Sequence, residues 1–167
     1  MGQVGAAKSG QQLLALNQQC RALSMAVGPQ SSRVALGCED RTIQLIDATN
    51  RPHPRSLGGH FSGAMSVAFR KDGQRLVSGS WDGEIKLWDL ITGREILSFR
   101  AYVGPVHSVA FSPDGTKILS AGNRLGKPGE VKVWDTQTGK KLFSIQGFPN
   151  VVRCAEFSPD GKHIICS

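Results

Sequence analysis

Residues 66–99 read SVAFRKDGQRLVSGSWDGEIKLWDLITGREILSF, and this stretch decides the fold because the chain repeats it. Asp72-Gly73, Asp114-Gly115 and Asp160-Gly161 recur at intervals of 42 and 46 residues. Phe69, Phe111 and Phe157 each stand three residues before the aspartate. Trp88-Asp89 and Trp134-Asp135 lie 46 residues apart, and 42 residues before Trp88 stands Ile46-Asp47. The runs RTIQLID (41–47), GEIKLWD (83–89) and GEVKVWD (129–135) are therefore copies of one segment. One insertion explains the longer interval: SGSWDGEIKLWD (78–89) becomes SAGNRLGKPGEVKVWD (120–135). A unit of about 42 residues occurs about three and a half times, and such a period is the mark of a repeat architecture.

Within the unit, hydrophobicity alternates with period two, which predicts strands. The second copy divides into strands 64–69, 75–80, 84–89 and 95–99, separated by Asp72-Gly73, Trp81-Asp82-Gly83 and Ile91-Thr92-Gly93. Four short strands joined by glycine turns make an antiparallel meander. Such a sheet is too small to stand alone, and both its faces carry apolar residues. Neighbouring copies must stack on one another.

Composition agrees. The chain has 167 residues with 40% hydrophobic and 20% charged, enough for a core and for one domain. Its 20 Gly and 8 Pro are spread throughout, as many tight turns require. Aromatics make up 7%, so the core is mainly aliphatic. No apolar run approaches the roughly 18 residues of a membrane-spanning helix, and no membrane partner is expected. Residues 1–10 lack the apolar core of a secretory signal and are expected to be a poorly ordered leader.

A 42-residue unit with Gly59-His60 near its start, SVAFRKDG (66–73), SVAFSPDG (108–115), EFSPDGK (156–162) and two Trp-Asp pairs resembles the WD-repeat family. The resemblance spans residues 11–167 and implies an all-β fold, a partial β-propeller of about 3.5 four-stranded antiparallel blades. Repeat 1 is expected over about 20–60, repeat 2 over 61–102, repeat 3 over 103–148 and a partial repeat 4 over 149–167. KSGQQLLAL (8–16) matches TGREILSF and TGKKLFSI, and so predicts a fourth strand lacking its first three. The other end supplies a first strand (151–157) and the start of a second (162–166). The chain is thus expected to be a fragment of a larger propeller, an incompletely closed four-blade ring being the alternative.

The resemblance also implies a structural hydrogen-bond network in copy two: His60, Ser78 or Ser80, Asp82 and Trp88. Ala101-Tyr102 and Gly147-Phe148 replace Gly-His, and Ile46 replaces Trp. The other blades are expected to lack the network.

Catalytic chemistry finds no support. His53, His60, His107 and His163 lie on four separate segments without HExxH, and GxSxG is missing. AGNRLGKP (121–128) imitates a phosphate loop, but Pro128 stands where Ser or Thr would hold magnesium, and a strand follows rather than a helix. It reads as a surface insertion. Cys20, Cys38, Cys154 and Cys166 have no CxxC spacing and are expected to be buried free thiols, consistent with a cytoplasmic location. No cofactor or metal is implied.

Binding remains. The formal charge is +7, yet the basic residues are scattered, with Arg51-Pro-His-Pro-Arg55 the densest group. Nucleic-acid binding through a basic surface is therefore the weaker reading. The resemblance implies a non-catalytic protein-interaction scaffold, presenting partner sites on the narrow face built from fourth-to-first-strand loops and second turns. Here those positions hold Glu39, Phe61, Met65, Trp81, Tyr102, His107, Asn123, Arg124 and Arg153. Trp81 and Arg124 are foremost, because Trp and Arg are enriched at interface hot spots. Expected partners are other proteins or peptides, further repeats of the same chain, or a second copy. The SPDG…VKVWDTQTGK style resembles bacterial family members, which often accompany kinase or other signalling domains. A regulatory part of a larger signalling enzyme is the alternative function.

Overall fold

The computed structural model describes residues 2–5, 12–16, 20–29, 32–47, 51–123 and 126–167. Among them there is no helix, only sixteen strands. Three four-stranded antiparallel sheets follow one another as blades. Blade 1 holds β3 (Ala22–Val27), β4 (Arg33–Cys38), β5 (Thr42–Asp47) and β6 (Arg51–Gly58). Blade 2 holds β7 (Ala64–Phe69), β8 (Arg75–Ser80), β9 (Glu84–Asp89) and β10 (Arg94–Arg100). Blade 3 holds β11 (Val106–Phe111), β12 (Lys117–Asn123), β13 (Gly129–Asp135) and β14 (Lys141–Ile145). Two-stranded sheets lie at the termini: β1 (Gly2–Gly5) with β2 (Gln12–Leu16), and β15 (Ala155–Phe157) with β16 (Ile164–Cys166). The array is a partial propeller and does not close.

Residues 2–5 differ from the leader expected over 1–10. They form a strand that pairs antiparallel with Gln12–Leu16, while residues 1 and 6–10 lie outside the described residues.

The recurring Asp-Gly pairs act through one local device. The Oδ1 atoms of Asp72, Asp114 and Asp160 accept the N–H of Gln74, Thr116 and Lys162 at 3.0, 3.0 and 3.1 Å. The intervening glycines sit at φ of 68°, 70° and 70°, where a side chain would be strained. The aspartates of the two Trp-Asp pairs do the same at the third turn. Asp89 and Asp135 accept the N–H of Thr92 and Thr138 at 2.7 and 2.8 Å. The Thr138 hydroxyl and N–H hold the Asp135 carboxyl below its ordinary range, and the Thr92 N–H and hydroxyl do the same for Asp89.

In a meander, first and third turns share one end of the sheet, while second turns and fourth-to-first loops share the other. The first strands β3, β7, β11 and β15 pack side by side in sequence. Serines stitch them together. Val109 N–H donates to Ser66 Oγ at 3.0 Å, and Ala155 N–H donates to Ser108 Oγ at 3.2 Å. Apolar clusters fill each interface between blades. Val77, Ile85 and Leu87 of blade 2 meet Val106, Val109, Ile118 and Trp134 of blade 3. Blades stack closely enough that a Cβ on Gly79 would lie 2.5 Å from Val106 Cγ1.

Candidate functional site

In blade 2 the second turn, Trp81-Asp82-Gly83, is fixed from beneath by the corner of the blade. His60 is buried and its Nε2 lies 2.7 Å from Ser78 Oγ. Trp88 Nε1 donates to the same oxygen at 2.9 Å, so the serine hydroxyl proton is directed to His60. His60 Nδ1 then faces Asp82 Oδ2 at 3.4 Å. Burial lowers the pKa of His60 below its ordinary 6.5, against the raising pull of Asp82. Burial raises that of Asp82, but the N–H groups of Glu84 and Phe61 overcome it and hold the carboxyl below its ordinary range. Ser78 is thus the serine of the network. Ser80 Oγ turns away and donates to Ser62 O at 3.1 Å.

Blade 3 corrects the expectation that it lacks such a network. Tyr102 stands at the position of His60, and its Oη lies 3.0 Å from Ser120 O, 3.1 Å from Ser120 Oγ and 3.0 Å from Glu130 O. Trp134 Nε1 donates to Ser120 Oγ at 2.8 Å. Lys132 Nζ lies 4.2 Å over the tyrosine ring and donates to Ala101 O at 2.8 Å. A phenol, longer than imidazole, spans the corner without an aspartate. Tyr102 is therefore 5% exposed and unavailable to a partner, contrary to its expected place on the binding face.

Blade 1 is closed differently again. Leu36 and Ile46 occupy the serine and tryptophan positions, and Cys20 is disulfide-bonded to Cys38. These cysteines stand where blade 2 has Ser62 and Ser80, so the bond replaces the hydrogen bond found there. The expectation of buried free thiols is corrected for this pair. Cys154 and Cys166 are free, exposed and half-buried respectively, because the small positions they fill lack neighbouring strands.

The expected binding residues divide into two groups. Phe61 is 76% exposed and Trp81 40% exposed. They flank Asp82: Phe61 N–H donates to Asp82 Oδ2 at 2.8 Å, and Trp81 N–H donates to Gly63 O at 3.1 Å. Val103, which sequence reasoning missed, is exposed beside them, its neighbours Tyr102 and Gly104 crowding Gly83. Position in the loop after the fourth strand was the signal for it. Glu39 is exposed and paired with Arg21 at 3.3 Å. Met65, His107 and Arg153 occupy equivalent positions on β7, β11 and the approach to β15. His107 Nε2 lies 3.0 Å from Asn123 Oδ1, and Asn123 is buried rather than displayed. Arg124 lies outside the described residues.

Between the first strands runs an open groove of about 530 Å³, lined among others by Arg70, Lys71, His107 and Arg153. Among the described residues, one group could offer three atoms to a metal: His60, Asp82 and Glu84. Lys86 Nζ, 3.7 Å from Glu84 Oε2, already supplies a cation there and opposes a second.

A family model described as WD domain, G-beta repeat matches residues 52–89, 93–135 and 139–167, together well over half of the chain. The first two matched segments open on a fourth strand and end on the next blade's third, so the sequence repeat is staggered against the blade. A search of curated proteins returned no match.

Proposed function

The chain belongs to the WD-repeat family, and on that premise we propose that it is a protein-interaction scaffold with no catalysis of its own. WD repeats generally mediate contacts between proteins, which makes a protein or peptide the expected partner. The observation that carries the reading is the pair Phe61 and Trp81, exposed on one face, with the Phe61 N–H donating to the Asp82 carboxylate and the Trp81 N–H to Gly63 O. Aromatic side chains have few rotatable bonds and so lose little entropy on binding, and Trp is enriched among hot spots. Val103 extends the same patch.

The test begins by identifying a partner through capture on the wild-type chain, then measures its affinity by calorimetry. Phe61→Ala and Trp81→Ala are each expected to weaken binding at least tenfold while circular dichroism is unchanged. Binding indifferent to both substitutions sinks the reading. Affinity that collapses with added salt and is lost to competing nucleic acid would transfer the function to the basic surface.

We also propose a cytoplasmic setting, which the free thiols Cys154 and Cys166 support and the Cys20–Cys38 bond opposes, since cytosolic reductants keep thiols reduced. Thiol counting on protein trapped directly from cells should find all four cysteines reduced. An oxidised pair would place the chain elsewhere.

A further inference from the structure

The two-stranded sheets are complementary halves of one blade. In β15–β16, Ala155 faces Cys166, Glu156 faces Ile165 and Phe157 faces Ile164. Those are the pairs Val109–Ser120, Ala110–Leu119 and Phe111–Ile118 of β11–β12, displaced by 46 residues. In β1–β2, Gly2 faces Leu16, Gln3 faces Ala15 and Val4 faces Leu14, and the register shifts before Gly5 meets Gln12. Strands β13–β14 pair Val131–Ile145, Lys132–Ser144 and Val133–Phe143, with the same shift before Trp134 meets Lys141. Hence β15–β16 is a first-and-second-strand half, and β1–β2 is a third-and-fourth-strand half.

The exposed surface beside β16 shows what should cover it. Ile165 is 69% exposed, whereas its equivalents Ala35, Val77 and Leu119, each beside a third strand, are all 0% exposed. In blade 2, Phe99 packs on the Trp134 ring at 4.8 Å, and Leu97 and Phe99 crowd the turn at Gly139. Both contacts are made to the third strand, and the turn after it, in the next blade. The equivalents in blade 3, Phe143 and Ile145, are 47% and 36% exposed. One element would cover all three residues: a third strand with its turn and fourth strand. That is what β1–β2 is.

We propose that β1–β2 of a second copy of this chain adds to β16, each copy completing the other's split blade. Among the described residues the halves are separate sheets and β16 pairs only with β15, leaving an edge that can take an incoming strand. Reciprocal exchange is a closed two-fold arrangement, and it yields a ring of eight blades, within the range that propellers adopt.

Light scattering after gel filtration tests this on the full chain. The wild type is expected at twice 17.9 kDa. Two variants separate donor from acceptor. Phe143→Asp alters an exposed residue on the receiving face, and Val4→Pro spoils the donated strand. Each alone should run as a monomer with blades intact by tryptophan near-ultraviolet dichroism. Mixed, they should form a dimer through one joint, because the Val4→Pro copy keeps its receiving face and the Phe143→Asp copy keeps its hairpin. A folded wild-type monomer overturns the proposal, and so does a dimer that both variants leave intact.

Discussion

Blades 2 and 3 close the same corner with different chemistry. Blade 2 uses an imidazole, a serine, a tryptophan and a carboxylate; blade 3 uses a phenol, a serine and a tryptophan, with a lysine over the ring. The serine and tryptophan are common because they belong to β8/β12 and β9/β13, whose spacing the sheet dictates. The third partner arrives from a loop, and any group that reaches the serine can fill the role. A buried polar corner must be satisfied, but the identity of what satisfies it is free. What differs is response: burial lowers the imidazole's pKa, so it gains a proton only as pH falls below its ordinary 6.5, whereas burial pushes the tyrosine pKa far up and out of reach.

The largest effect expected from breaking this comparison is Tyr102→Ala. Removing a buried aromatic and its hydroxyl should cost about 3–5 kcal/mol, read by urea unfolding. If it costs under about 1 kcal/mol, blade 3 does not depend on its lock. Blade 1 comes next. Cys38→Ser, or reduction of the wild type, should lose about 3 kcal/mol, as expected for a short closed loop, and the two treatments should agree. Tyr102→Phe isolates the hydroxyl from the ring. It leaves Ser120 and Glu130 groups short of a partner and should cost about 1–3 kcal/mol.

The smallest and sharpest test uses pH. Folded His60 has a pKa below its unfolded 6.5, so between the two values the unfolded chain binds more protons. Its contribution is complete above pH 6.5 and declines as pH falls through 6.5 toward the folded value. Thermal midpoints of the wild type should drop over that window. His60→Tyr, which gives blade 2 the lock of blade 3, should flatten the decline, whereas Tyr102→His should steepen it. Parallel pH profiles for all three proteins would refute the assignment.

Much of this architecture is legible in the sequence. The spans 64–69, 75–80 and 84–89 followed from alternation and Asp-Gly turns, and β7, β8 and β9 have those bounds. The lock of blade 2 followed from the resemblance, short of choosing Ser78 over Ser80, which depends on which hydroxyl faces the indole. The lock of blade 3 was missed because aligning repeats treats tyrosine in a histidine position as a loss. The available signal was that Tyr102 is the only tyrosine, set there with both Ser120 and Trp134 retained. The disulfide was hidden because an 18-residue separation says nothing about distance. Strand β1 was hidden because GQVG barely alternates, and only its pairing with β2 defines it.

One regularity reaches beyond stability. The step from the last residue of a fourth strand to the first of the next blade is identical at Leu16–Ala22, Gly58–Ala64 and Arg100–Val106. Blades 1, 2 and 3 are therefore interchangeable cassettes entered through linkers of one length, the step Ile145–Ala155 being longer. Excising residues 60–101 would splice Gly59 to Tyr102, with no turn lengthened and no register altered. A gene encoding this chain could gain or shed a whole blade by recombination between copies, and the corner chemistry would travel with the loop that precedes each blade.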